Sequence, residues 1–139
     1  MKSLTSLERF LVLPELLDRV ENDEDLLAEL FALFQEDLPG SRAALRTAIE
    51  RAELPEIERV AHRLKGMLAN LSAKQAASLA AVIESAARAG DTEKIWQTQA
   101  VFDPELSAFS AKLDSQAVFD PELSAFSAKL DSFMAGVEN

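Results

Sequence analysis

Ile57, Ala61, Leu64, Leu68 and Leu71 recur at spacings of four, three, four and three. At about 100° per residue, all five fall within about 40° of one line down an α-helix. A strand cannot present them together, because its alternate residues point to opposite faces. The segment ELPEIERVAHRLKGMLANL, with Pro55 in its first turn, is therefore an amphipathic helix that must bury one stripe against other elements.

The same period returns along the chain. Leu26, Leu27, Leu30, Phe31, Leu33, Phe34 and Leu38 form one broad stripe behind a cap at Asn22 or Asp23. Pro39-Gly40-Ser41 interrupts it, and the period resumes at Leu45 and Ile49. Two readings stand there: a helix ending at Leu38 with Ser41 capping the next, or one helix kinked at Pro39 and running to about Ala52. Pro14 opens a short helix over PELLDRV, and residues 73–89 form another helix. Gly90 suits a left-handed C-terminal cap, and Asp91 suits the N-cap of the last helix. Alanine, leucine and glutamate, all strong helix formers, dominate throughout. The expected fold is all-α: an antiparallel up-down four-helix bundle, forming a single domain over residues 1–139, with a short N-terminal helix and an internally duplicated C-terminal helix.

That duplication is literal. QAVFDPELSAFSAKLDS occupies residues 99–115 and recurs unchanged at 116–132. Within the copies, Phe102, Leu106, Phe109 and Leu113, or Phe119, Leu123, Phe126 and Leu130, repeat at four-three-four spacing. One copy thus carries a complete core-facing stripe, and the bundle needs only one. Seventeen residues leave a helix about 100° short of five full turns, so a continuous helix would rotate the second stripe away from the first. Asp103-Pro104 and Asp120-Pro121 offer break points. Three outcomes stay open: one copy looped out, a helix extended by about 25 Å, or a homodimer through the terminal helix.

Charge and missing residue types remove whole classes of function. A formal net charge of −10 opposes binding to nucleic acid and to anionic membranes. Without cysteine there is no disulfide framework, thiolate nucleophile or cysteine-type zinc site, and one histidine cannot supply a typical transition-metal site. No glycine-rich phosphate loop occurs, and no apolar run approaches the roughly 20 residues of a membrane span. MKSLTSLERF lacks the apolar core of a secretory leader, so the cytoplasm is the expected compartment. The many carboxylates read as solvated helix faces, with no spacing that singles one out.

His62, the only histidine, lies about 140° from the buried stripe and faces solvent. Gly66 and Ala69 share its face. A glycine in mid-helix costs about 1 kcal/mol relative to alanine. Here it clears the surface beside the imidazole for a close approach by another protein, and Ala69 keeps the next turn low. Arg59 and Lys65 bring positive charge to an otherwise acidic chain, suited to a phosphoryl group or an acidic partner. Arg59, Arg63 and Ala69 are the candidate partner-docking positions. A nucleophile–histidine–carboxylate triad would need a pocket, whereas His62 stands on a convex face. An incidental surface histidine fits this geometry as well as a functional one.

AHRLKG, residues 61–66, resembles the signature of the histidine-containing phosphotransfer (HPt) domain, commonly Ala-His-x-Leu-Lys-Gly. LLAELFALFQEDLPGSRAALRTAIERAE upstream and ANLSAKQAASLAAVIESAARAGD downstream resemble the helices that flank it in that family. The likeness covers residues 12–98 plus one copy of the repeat. It implies a four-helix bundle with His62 as phosphoacceptor, normally on Nε2, aided by Lys65 through electrostatics and by Gly66 through access. It further implies a phosphorelay intermediate of two-component signalling, exchanging its phosphoryl group with aspartates of receiver domains. Response-regulator receivers or a hybrid histidine kinase would be the partners. Magnesium would sit on the receiver, with no cofactor on this chain and no kinase activity of its own. Met67 stands where a small residue is usual, and Ser72 where glycine is frequent, which bears on how the helix ends. Two readings of other classes remain: a non-catalytic helical interaction module, or an engineered helical scaffold carrying a tandem duplication.

Overall fold

Stripes of this kind are stable only when they close on one another. In the structure, a computed structural model that describes residues 2–119, they do so in a ring. A 3₁₀ segment (Lys2–Arg9) precedes α1 (Leu13–Arg19), α2 (Glu24–Glu50), α3 (Leu54–Asn70), α4 (Lys74–Ala89) and α5 (Thr92–Phe119). The helix α2 packs on α3, α3 on α4, α4 on α5, and α5 back on α2. Connections of two or three residues make chain neighbours antiparallel, the arrangement of an up-down four-helix bundle. The stripe that defines α3 is inside: Ile57, Ala61, Leu64, Leu68 and Leu71 are each at most 2 % exposed. Leu26 and Leu33, grouped by period with the α2 stripe, are instead exposed.

Helix ends follow local chemistry. Asp23, not Asn22, caps α2, accepting from the N–H groups of Asp25 and Leu26 at 3.0 and 3.1 Å. Gly90 closes α4 at φ +72, and Asp91 Oδ1 accepts from the Lys94 N–H at 3.1 Å. At the end of α3, Ser72 takes φ +56 and the Ala73 N–H reaches back to the Leu68 carbonyl at 2.9 Å. That is the helix stop glycine would make, reached by a serine under backbone strain.

Both internal prolines fail to break their helices. Pro39 lies exposed within an unbroken α2, which settles the choice for one continuous helix. An interior proline costs about 3 kcal/mol. Leu38 and Leu45 on either side are each 1 % exposed, and burial worth about 1.5–3 kcal/mol per leucine holds both halves to the core. Ser41 is no cap, for its hydroxyl donates back to Asp37 Oδ2 at 3.0 Å. Pro104 likewise lies inside α5, between buried Phe102 and Leu106.

The first copy of the repeat packs into the core. Phe102, Leu106, Phe109 and Leu113 are buried, and the Phe109 ring lies 5.2 Å from Phe10 and 5.3 Å from Phe34. Residues 99–115 are therefore neither looped out nor interrupted at Asp103-Pro104. The helix runs on into the second copy as far as Phe119. Leu123, Phe126 and Leu130 lie outside the described residues, as does the choice between loop, extended helix and homodimer for that copy.

Candidate functional site

Burying Ile57, Ala61, Leu64 and Leu68 fixes the rotation of α3. That rotation turns His62 outward, leaving its side chain 68 % exposed. Gly66 stands one turn on, and a methyl group built on it would meet nothing within 4 Å. The bundle's own packing does not call for glycine there. The missing side chain matters only to something arriving from outside.

The exposed ring is nevertheless held from below. Glu84 on α4 has a side chain only 7 % exposed, and its carboxylate lies between two residues of α3. Oε2 is 2.6 Å from His62 Nδ1, and Oε1 accepts from Lys65 Nζ at 2.6 Å. Arg88, one turn further along α4, brings Nη2 to 3.7 Å from Glu84 Oε2 and donates through Nε to Glu58 Oε1 at 2.9 Å. The hydrogen bond from Lys65 holds the Glu84 carboxyl below the ordinary carboxylate range, against burial, which pushes it up; the bond to His62 lowers it further. An ionised carboxylate can only accept, so Nδ1 is the donor. In the neutral ring the one proton then sits on Nδ1, and Nε2 keeps a free lone pair on the far side from Glu84. The result is a ring of fixed tautomer on an open face, with Nδ1 and the Lys65 ammonium sharing the Glu84 carboxylate.

The other anticipated positions are spread around this centre. Arg59 pairs with Glu56 within α3, and Arg63 pairs with Asp37 of α2. These two cations line the α2 side of the helix, whereas Lys65 and Arg88 line the α4 side. Ala69 is exposed, and its backbone carbonyl accepts from Arg19 Nη1 of α1 at 2.6 Å. Met67 is half-buried against the core, off the His62 face. Among the described residues no group of three or more histidines, cysteines or carboxylates could hold a metal ion. None of the described helices is long and apolar enough to cross a membrane.

Glu84 is an exception to the reading of the many carboxylates as solvated helix faces, and neither it nor Arg88 was singled out from sequence. A signal existed. Glu84 stands four residues after Ala80 and three before Ala87, on the buried stripe of α4, and Arg88 follows it at i+4. A carboxylate on an apolar stripe needs a partner, and the neighbouring helix offers His62 and Lys65.

A family model described as the Hpt domain matches residues 29–115, well over half of the chain. The match ends on the last residue of the first repeat copy, the copy that fills the core. No curated protein and no solved structure matches the chain.

Proposed function

We infer the function from a premise now in hand: this chain belongs to the Hpt domain family, whose members are phosphocarriers of two-component signalling rather than catalysts. In our reading His62 is the phosphoacceptor. Its Nε2 attacks the phosphorus of an aspartyl phosphate on a receiver domain. The N–P bond forms as the P–O bond to the aspartate breaks, and the bonding pair leaves with the regenerated carboxylate. The Nδ1 proton stays where it is, bonded toward Glu84, whose negative charge balances the positive charge the ring gains. The reverse step delivers the group to an aspartate of a second receiver.

The single observation that carries this reading is the contact of Glu84 with Nδ1, which leaves Nε2 unprotonated and outward on an otherwise unobstructed face. Phosphoryl transfer asks chiefly for in-line positioning and charge neutralisation. Lys65 and Arg88 supply positive charge on this side, and the receiver supplies magnesium. Receivers, from response regulators or a hybrid kinase, settle over Gly66 and Ala69, with Arg59 and Arg63 toward the edge. The chain has no ATP site of its own in this scheme, and the relay operates in the cytoplasm.

Incubation with a phosphorylated receiver tests the proposal. The native chain is expected to take up acid-labile phosphate. His62→Gln is expected to take up none while keeping its helical circular dichroism, because a side chain so exposed contributes little to the core. Acid-labile phosphate on that variant would overturn the assignment.

A further inference from the structure

We propose that this bundle has two interchangeable closing segments, so that residues 116–132 can take the place of residues 99–115 in the slot formed by α2, α4 and the 3₁₀ segment. Among the described residues, the side-chain contacts that fix the first copy reach from the repeat to residues outside it. Phe109 lies against Phe10 and Phe34. Asp103 receives Arg42 at 2.9 and 3.0 Å. Gln35 donates to the Ser110 carbonyl at 3.0 Å and accepts from its hydroxyl at 2.9 Å. The residue seventeen positions on is identical in each case. Phe119, Asp120, Phe126 and Ser127 can therefore make the contacts that Phe102, Asp103, Phe109 and Ser110 make in the first register. The outside partners belong to α2 and to Phe10, just after the 3₁₀ segment, and they remain in place.

What separates the two registers lies just ahead of the slot. In the first register α5 begins directly after Gly90 and Asp91, and Ile95 is 1 % exposed. In the second register Lys112 would come to the place of Ile95, and seventeen more residues would join the connection after α4. An ammonium group does not replace a buried isoleucine without loss, and the longer loop costs closure entropy. Both terms favour the first register, as observed. Neither forbids the second. Loop entropy grows only logarithmically with length, a lysine at a helix surface can run its stem along the core and lift its charge into water, and the slot contacts are the same. The residues between Asp91 and Ser115 are ample to lead from the end of α4 back to the slot. Damage to the first copy then shifts the chain to the second.

Three variants of the full chain test this: Phe109→Asp, Phe126→Asp, and both together. Thermal unfolding is followed by circular dichroism and by emission from Trp96, the only tryptophan, which lies 54 % exposed on α5 in the first register. Phe109→Asp is expected to unfold cooperatively below the native chain and the Phe126→Asp chain, yet roughly 10 °C above the double variant. Its Trp96 emission should shift toward that of a tryptophan in water, because residue 96 moves into the connection. Unfolding of Phe109→Asp together with the double variant would overturn the proposal. So would rescue that strengthens with protein concentration, since that would mean exchange between chains.

Discussion

Of the acids that tie helices together in this bundle, Glu84 and Asp103 do different things. Glu84 of α4 holds α3 through Lys65 and His62. Asp103 of α5 holds α2 through the paired nitrogens of Arg42, with Arg46 Nη2 at 3.6 Å. Both carboxyls are held below their ordinary range, Glu84 first by Lys65 and Asp103 first by Arg42. Asp103 ends its network, for everything that touches it is a cation with no further chemistry to offer. Glu84 has as one partner an imidazole, which passes the constraint on to a second nitrogen facing water. The same electrostatic device is a fastener in one place and a positioning element in the other. What distinguishes them is whether the partner has a free reactive atom left.

The widest separation should come from truncating each acid. Glu84→Ala is expected to slow phosphoryl acceptance by His62 about tenfold or more, because the ring loses its fixed tautomer and orientation. Asp103→Ala is expected to leave that rate alone and lower stability by about 1–2 kcal/mol, as a partly exposed charge-assisted pair should. Transfer kinetics and urea unfolding of both variants measure the contrast. Equal rates would erase it.

Acid should affect the two alike. For both groups the folded-state value is depressed, so the unfolded chain binds the more protons as the pH drops. Their stabilisation is full above the unfolded carboxylate range of about 4 and is lost as the pH falls through their lower folded values. The melting temperature should hold from pH 7 to about 5 and then decline, with a shallower decline in Glu84→Gln and in Asp103→Asn.

The smallest effect carries opposite signs. Gly66→Gln should raise stability by up to about 1 kcal/mol, because the bundle has room for the side chain and helix propensity favours it. It should also slow transfer several-fold by standing in a receiver's way. Unchanged transfer would show that Gly66 gives no access to His62.

The asymmetry between these acids also marks where the sequence could be read. Exposure of His62 and Gly66 follows from counting turns back to Ile57, because a helix carries its own geometry. The core role of residues 99–115 follows in the same way from Phe102, Leu106, Phe109 and Leu113. Counting turns can place Glu84 on the buried stripe of α4, but not name the residues it meets. Its meaning depends on the rotation of α4 against α3, which brings together residues far apart in the chain. Pro39 and Pro104 failed as local signals for a related reason. Each weakens its helix, but the burial of Leu38, Leu45, Phe102 and Leu106 is supplied by other helices and outweighs it.

The hydrogen bond from Arg19 to the Ala69 carbonyl bears on association itself. Ala69 sits in the last turn of α3, where backbone carbonyls lack partners within the helix and the chain tends to fray. The Ala69 carbonyl accepts from the Ser72 N–H at 3.0 Å, and a guanidinium of α1 adds a second bond from outside the helix. A receiver that settles on Gly66 and Ala69 therefore meets a turn already ordered. Little conformational freedom is left to lose on contact, and brief, repeated encounters of the kind a relay requires need not wait for the surface to form.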